Sequence, residues 1–70
     1  MTQCERVLDY MKRFGSITAA EAVMDLGVYR LSARIADLKH DGHHIKDAME
    51  SGRNRFGEKT SYKRYSLEDK

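Results

Sequence analysis

The stretch LGVYRLSARIADLKHDG, residues 26–42, decides how this chain folds. Leu31, Ile35 and Leu38 recur at spacings of four and three, which lines them up as one apolar stripe on a helix. Successive helical residues turn by about 100°. With the stripe facing inward, Tyr29, Ala33, Ala36 and His40 fall near the outer midline. Arg30 and Asp37 flank one side of that midline and Ser32 and Lys39 the other, while Arg34 lies close to the core edge. The spacing predicts a helix over residues 29–40, stopped at Asp41 and Gly42. Its start is weakly marked, because neither Val28 nor Tyr29 is a good N-cap.

Working back toward the N-terminus, Gly27 is a natural left-handed stop for a preceding helix. Thr18 and Glu21 have the spacing of a capping box, which starts that helix at Ala19 and turns Ala22, Val23 and Leu26 inward. Only Gly27 and Val28 then separate the two helices, and so short a link makes them cross steeply, as in a helix-turn-helix. Ile17 reads as an inward residue on a very short extended piece. Before it, Thr2 and Glu5 form another capping box. Cys4, Val7, Leu8, Met11 and Phe14 make an apolar stripe that Gly15 ends, with Lys12 and Arg13 in the last turn, where they suit the helix dipole.

Beyond Gly42 the pattern changes. HHIKDAM (43–49) fits a strand around Ile45, and TSYKRYSL (60–67) alternates, with Tyr65 and Leu67 on one face and Tyr62, Arg64 and Ser66 on the other. The intervening ESGRNRFGEK (50–59) supplies turn chemistry at Gly52, Asn54 and Gly57. The expectation is a β-hairpin with a long basic tip over residues 51–59. Glu68, Asp69 and Lys70 read as a frayed tail, leaving one domain over residues 1–67.

Composition narrows the setting. Seventy residues hold one small core. Charged residues are 34% and apolar residues 40% of the chain, a soluble, globular balance. Cys4 is the one cysteine, so no disulfide staples the chain, and a reducing, cytoplasmic environment is expected. MTQCERVLDYMKRF (1–14) has no long apolar run, so neither a signal peptide nor a membrane span is expected. The net charge of +2 is unevenly spread. Residues 1–50 carry seven Lys/Arg against eight Asp/Glu, whereas residues 51–65 carry Arg53, Arg55, Lys59, Lys63 and Arg64 against Glu58 alone. Such clustering points to a polyanionic partner.

The order helix, short strand, helix, tight turn, helix, strand, basic loop, strand resembles the winged helix-turn-helix domain over nearly the whole chain. The residues that carry the resemblance are ITAAEAVMDLGVYRLSARIADLKHDGHHI (17–45) and KRYSL (63–67). The small winged-helix proteins of phage and prophage regulators are the most similar type. The resemblance implies an α+β fold of three helices with a small antiparallel β-hairpin wing. It also implies sequence-specific binding of double-stranded DNA by a small transcriptional regulator. One departure stands out: helix-turn-helix motifs place a small residue four before the turn glycine, and here that position is Val23, with Ala22 beside it.

On that reading the third helix lies in the major groove, where Ala33 and Ala36 permit close approach. Arg30 can make a bidentate contact to guanine, Ser32 or Tyr29 can hold a phosphate or base edge, and Lys39 lies near phosphate. Arg34 either contacts DNA or pairs with a carboxylate, Asp37, Glu21 and Asp25 being the candidates. Arg53, Arg55, Lys59, Lys63 and Arg64, within a wing over residues 51–64, contact the backbone or the minor groove. Phe56 packs back on the hairpin or acts as a wedge, with packing favoured. Tyr62 either donates to phosphate or covers the sheet. One such module buries about 600–1,000 Å² on DNA, so tight binding calls for a homodimer or a cooperative oligomer.

The bland alternatives are a solvated helix face and a merely solubilising loop. A protein-interaction module that binds a host protein is the competing function, its basic hairpin gripping an acidic patch. The chain is too basic for a DNA mimic. His40, His43 and His44 lack the paired spacing of zinc ligands, so no metal or other cofactor is expected. There is no glycine-rich phosphate loop and no nucleophile motif, so no enzyme is expected either. Cys4 sits on the apolar stripe as a small core residue.

Overall fold

A computed structural model describes residues 2–68. Helix α1 (Gln3–Phe14) starts at the expected capping box: Thr2 Oγ1 accepts from the Glu5 amide at 3.1 Å, and Glu5 Oε1 accepts from the Thr2 amide at 2.7 Å. The latter bond holds the Glu5 carboxyl below its ordinary pKa. Gly15 ends α1. Strand β1 (Ile17–Thr18) leads straight into α2 (Ala19–Glu21), whose N-terminus repeats the device with Thr18 and Glu21.

Helix α2 continues into a π-turn segment (Ala22–Leu26). Gly27, at a φ of 70°, lets its own amide donate to Val23 O at 3.1 Å and the Val28 amide donate to Ala22 O at 2.9 Å. A π turn holds one residue more than an α turn. That extra residue accounts for the departure at the small-residue position: Ala22 is fully buried and Val23, expected inward, is exposed.

The third helix begins later than the spacing predicts. Helix α3 (Leu31–His40) has Arg30 as its N-cap residue, and the link between the helices runs over residues 27–30 instead of two residues. Val28 is the reason. Its side chain is completely buried in the core, so Tyr29 and Arg30 bridge from that anchor to the first turn. Val28 joins Val7, Met11, Ile17, Ala22, Leu31, Ile35, Leu38, Ile45 and Tyr65, with Cys4, Leu8, Tyr10, Leu26 and Leu67 packed around them. Phe14, expected on the inward stripe of α1, is 69% exposed and packs only at the rim, its ring 4.7 Å from that of Tyr10.

The sheet is antiparallel in the order β1-β3-β2. Strands β2 (Ile45–Arg53) and β3 (Lys59–Leu67) are each nine residues long and pair without interruption from Ile45–Leu67 to Arg53–Lys59. At about 3.3 Å per residue the ribbon is roughly 30 Å long, and the whole molecule measures 38 × 26 × 20 Å. Only its base is in the core, through Ile45, Tyr65 and Leu67; Ile17 of β1 pairs with Tyr65 there. The expected loop over residues 51–59 therefore shrinks to residues 54–58, because Ser51, Gly52, Arg53 and Lys59 belong to the strands. The Glu68 amide donates to His44 O at 2.8 Å, extending the ladder past Leu67. The other two residues of the expected tail, Asp69 and Lys70, lie outside the described residues.

Two predictions follow from this packing. Met11→Ala should destabilise by about 2–5 kcal/mol, as for a buried methionine, whereas Phe14→Ala should cost under about 1.5 kcal/mol, little beyond the loss of an aromatic pair; denaturant unfolding reads both. The second concerns Tyr10, which bridges α1 to the π-turn segment by donating to Asp25 Oδ2 at 2.6 Å. That bond to a carboxylate raises the phenol from an ordinary 10.0 to about 12. The folded chain then holds a proton that the unfolded chain releases, so stability present below pH 10 should decline as pH rises toward 12. Tyr10→Phe should shallow that alkaline decline.

Candidate nucleic-acid interface

Burial of Leu31, Ile35 and Leu38 leaves Ser32, Ala36, Asp37, Lys39 and His40 exposed on α3. Ala33, expected on the midline, is half-buried. Tyr29 is 79% exposed, and it and Arg30 precede the first turn instead of riding on its face. No side chain caps that turn. Arg30 and Lys39 stand near opposite ends of the helix, both exposed, and neither forms an ion pair among the described residues.

Arg34 forms one of the ion pairs expected for it. Its Nη2 lies 3.1 Å from Asp37 Oδ2, and its Nε is buried with no hydrogen-bond partner among the described residues. The pairing also neutralises Asp37, which would otherwise repel phosphate from α3. Glu21 and Asp25, the other candidate partners, bind Arg64 and Tyr10 instead.

The five cations of residues 51–65 fall into two groups. Arg64, expected to contact DNA, is instead committed within the chain. Its Nε sits 3.0 Å from both oxygens of Glu50, and its Nη1 reaches Ser16 Oγ at 3.1 Å and Glu21 Oε1 at 3.5 Å. The Glu50 bond holds the guanidinium above its ordinary pKa. Arg64 thereby ties β3 to β2, to α2 and to the link before β1. Lys63 shares its charge with Asp47 at 3.5 Å. Arg53, Arg55 and Lys59 form no ion pair among the described residues and are exposed at the far end of the ribbon. Tyr62 covers the sheet: its ring lies 3.5 Å from where a side chain on Gly52 would begin.

The tip is tightly built. Asn54 Oδ1 accepts from the Phe56 amide at 2.9 Å and from the Glu58 amide at 3.0 Å, while Asn54 Nδ2 donates to Glu58 Oε1 at 3.0 Å. The Asn54 amide donates to Glu58 O and the Gly57 amide to Asn54 O, both at 3.0 Å. Arg53 Nη1 donates to Gly57 O at 2.8 Å. Phe56, expected to pack back on the hairpin, is instead 84% exposed, and its amide donates to Asn54 Oδ1 within the turn.

A helix pair joined by a short link, followed by a two-stranded ribbon with a cationic end, is the architecture of one known family. The family model described as the winged helix-turn-helix domain matches residues 2–70. The chain belongs to the winged helix-turn-helix family. No curated protein and no solved structure matches it. In the family's terms α2 and α3 are the helix-turn-helix and the β2–β3 ribbon is the wing. Membership supports DNA binding in general terms, and winged helix-turn-helix domains are typically non-enzymatic. No helix among the described residues is long and apolar enough to cross a membrane, and no three of their His, Cys, Asp and Glu side chains group as metal ligands.

In the sequence Arg64 reads as a DNA contact because residues 51–65 hold only Glu58 as an acid. Glu50 lies one residue outside that window and Glu21 far outside it. Replacing Arg64 by alanine should therefore lower the thermal midpoint of the free protein by several degrees. It should leave the salt dependence of DNA binding near that of the unaltered chain, with Arg64→Lys recovering part of the stability.

Proposed function

We propose that the chain is a small transcriptional regulator that binds double-stranded DNA sequence-specifically, with the wing supplying most of the affinity. The observation that carries this reading is the set of exposed cations without ion-pair partners, Arg53, Arg55 and Lys59, at the end of a braced ribbon. Helix α3 enters the major groove, where Tyr29, Arg30, Ser32 and Lys39 meet bases and nearby phosphates. The half-buried Ala33 and the exposed Ala36 keep the approach uncrowded. Lys63, half-engaged by Asp47, adds to the backbone contacts at the wing's flank.

The small-regulator architecture accords with a phage or prophage setting, and the lone cysteine with a cytoplasmic one. One winged module buries a modest area on DNA, about 600–1,000 Å², so we read the working species as a homodimer or a cooperative array on adjacent sites. A host protein is the competing partner, favoured only by the capacity of the same basic tip to grip an acidic surface.

Titration of duplex DNA at rising salt tests the reading. About five phosphate contacts should give a slope of log affinity on log salt near −4 to −5. Arg53→Ala with Arg55→Ala should weaken all duplexes about equally and make the slope shallower by roughly 2. Arg30→Ala should instead reduce discrimination between sites, by about 1–3 kcal/mol for a lost bidentate contact. Absence of binding at low salt, or binding indifferent to salt, would defeat the proposal.

A further inference from the structure

We propose that Phe56 is a wedge that enters the minor groove, inserts between two base pairs and kinks the DNA held by the wing. This rests on the DNA-binding reading above and adds to it a mode of engagement and a source of sequence preference. Three observations bear on Phe56. The residue is 84% exposed and stands outside the core and the residues packed around it. Its backbone is braced: the amide donates to Asn54 Oδ1, and the turn around it is closed by the Gly57–Asn54, Asn54–Glu58 and Arg53–Gly57 bonds. Cations surround it in sequence at Arg53, Arg55 and Lys59, while the one nearby carboxylate, Glu58, is hydrogen-bonded to Asn54.

A large apolar ring kept in water by a braced loop is unfavourable for the free chain, and a site that buries it recovers that loss. The cations narrow the choice of site to one that is apolar at its centre and anionic at its rim. A stacked base step between two phosphate backbones has both properties. Apolar side chains inserted from the minor groove partly unstack a step and bend the duplex toward the major groove. A loop of five residues suits that groove, only about 6 Å wide in B-DNA, better than a loop of nine. Pyrimidine–purine steps unstack most easily. The wedge therefore selects a TA or CA/TG step beneath the wing without hydrogen-bonding to any base edge.

The experiment uses the full chain and a bound duplex labelled at both ends, with bending read by energy transfer. The unaltered protein should shorten the end-to-end distance, more with a TA step under the wing than with AA at the same place. Phe56→Ala should abolish the shortening and the TA preference and weaken binding about tenfold, the loss expected for one base–aromatic contact. Its salt slope should not change, since no charge is removed, and its thermal midpoint should stay put. Phe56→Leu should keep part of the bend. A straight duplex bound with a normal salt slope overturns the wedge alone, as does a bend that survives in Phe56→Ala. Failure of the unaltered chain to bind any duplex at low salt overturns both the wedge and the DNA-binding reading.

Discussion

The closure between Ala22 and Val28 sets the geometry on which the rest of the molecule depends. One amide, that of Val28, reaches back across a π turn to Ala22 O, and the left-handed Gly27 makes the reversal possible. The outcome is two full burials, Ala22 from the end of one helix and Val28 from the link to the next. Removing the inserted residue would rotate the preceding helix by about 100° relative to its end, turning Val23 toward a site shaped for a methyl group. Anchoring Val28 also delays α3 to Leu31. Tyr29 and Arg30 are thereby released from the helix surface and stand ahead of it, where a side chain has a wider reach than on a helical face.

Charge pairing engages part of the cationic surface and leaves the tip of the wing free. Arg13 pairs with Asp9, Arg34 with Asp37, Lys63 with Asp47, and Arg64 with Glu21 and Glu50. Exposed pairs of this kind contribute little to stability, typically 0–1 kcal/mol each. Their larger effect is on the field, because each removes a net charge from the region a polyanion approaches. The +4 of residues 51–65 counts Lys63 and Arg64, both engaged, so within that window the unpaired positive charge lies over residues 53–59. A concentrated patch at the end of a protruding ribbon meets an approaching phosphate backbone first.

What could be read from the residues was local, and what could not was set by distant partners. Both capping boxes depend on residues three apart and form as their spacing predicts. The core stripe of α3 is equally local, as is the alternation that buries Tyr65. The length of β2 is not local: Gly52 carries turn chemistry, yet the partner strand continues opposite it and Tyr62 lies over the glycine, filling the gap a missing side chain leaves. Phe14 satisfies the helical period but falls beyond the end of the surface α1 packs on. Among the cations expected at DNA, Arg34 and Arg64 are engaged by carboxylates within the chain. The partner of Arg34 lies three residues away and was visible as an alternative; those of Arg64 lie 14 and 43 positions distant and were not.

The extra strand length has an energetic meaning for binding. Holding one residue's backbone in a single conformation costs roughly 1–2 kcal/mol. In a floppy loop over residues 51–59 that cost would fall on the moment of contact with DNA. Pairing Ser51, Gly52, Arg53 and Lys59 in the ladder transfers it to folding, where the core and the cross-strand bonds offset it. Asn54 extends the same effect into the turn by gathering three hydrogen bonds on its side chain. A ligand then meets cations and an aromatic ring already positioned, so more of each contact's energy remains as affinity.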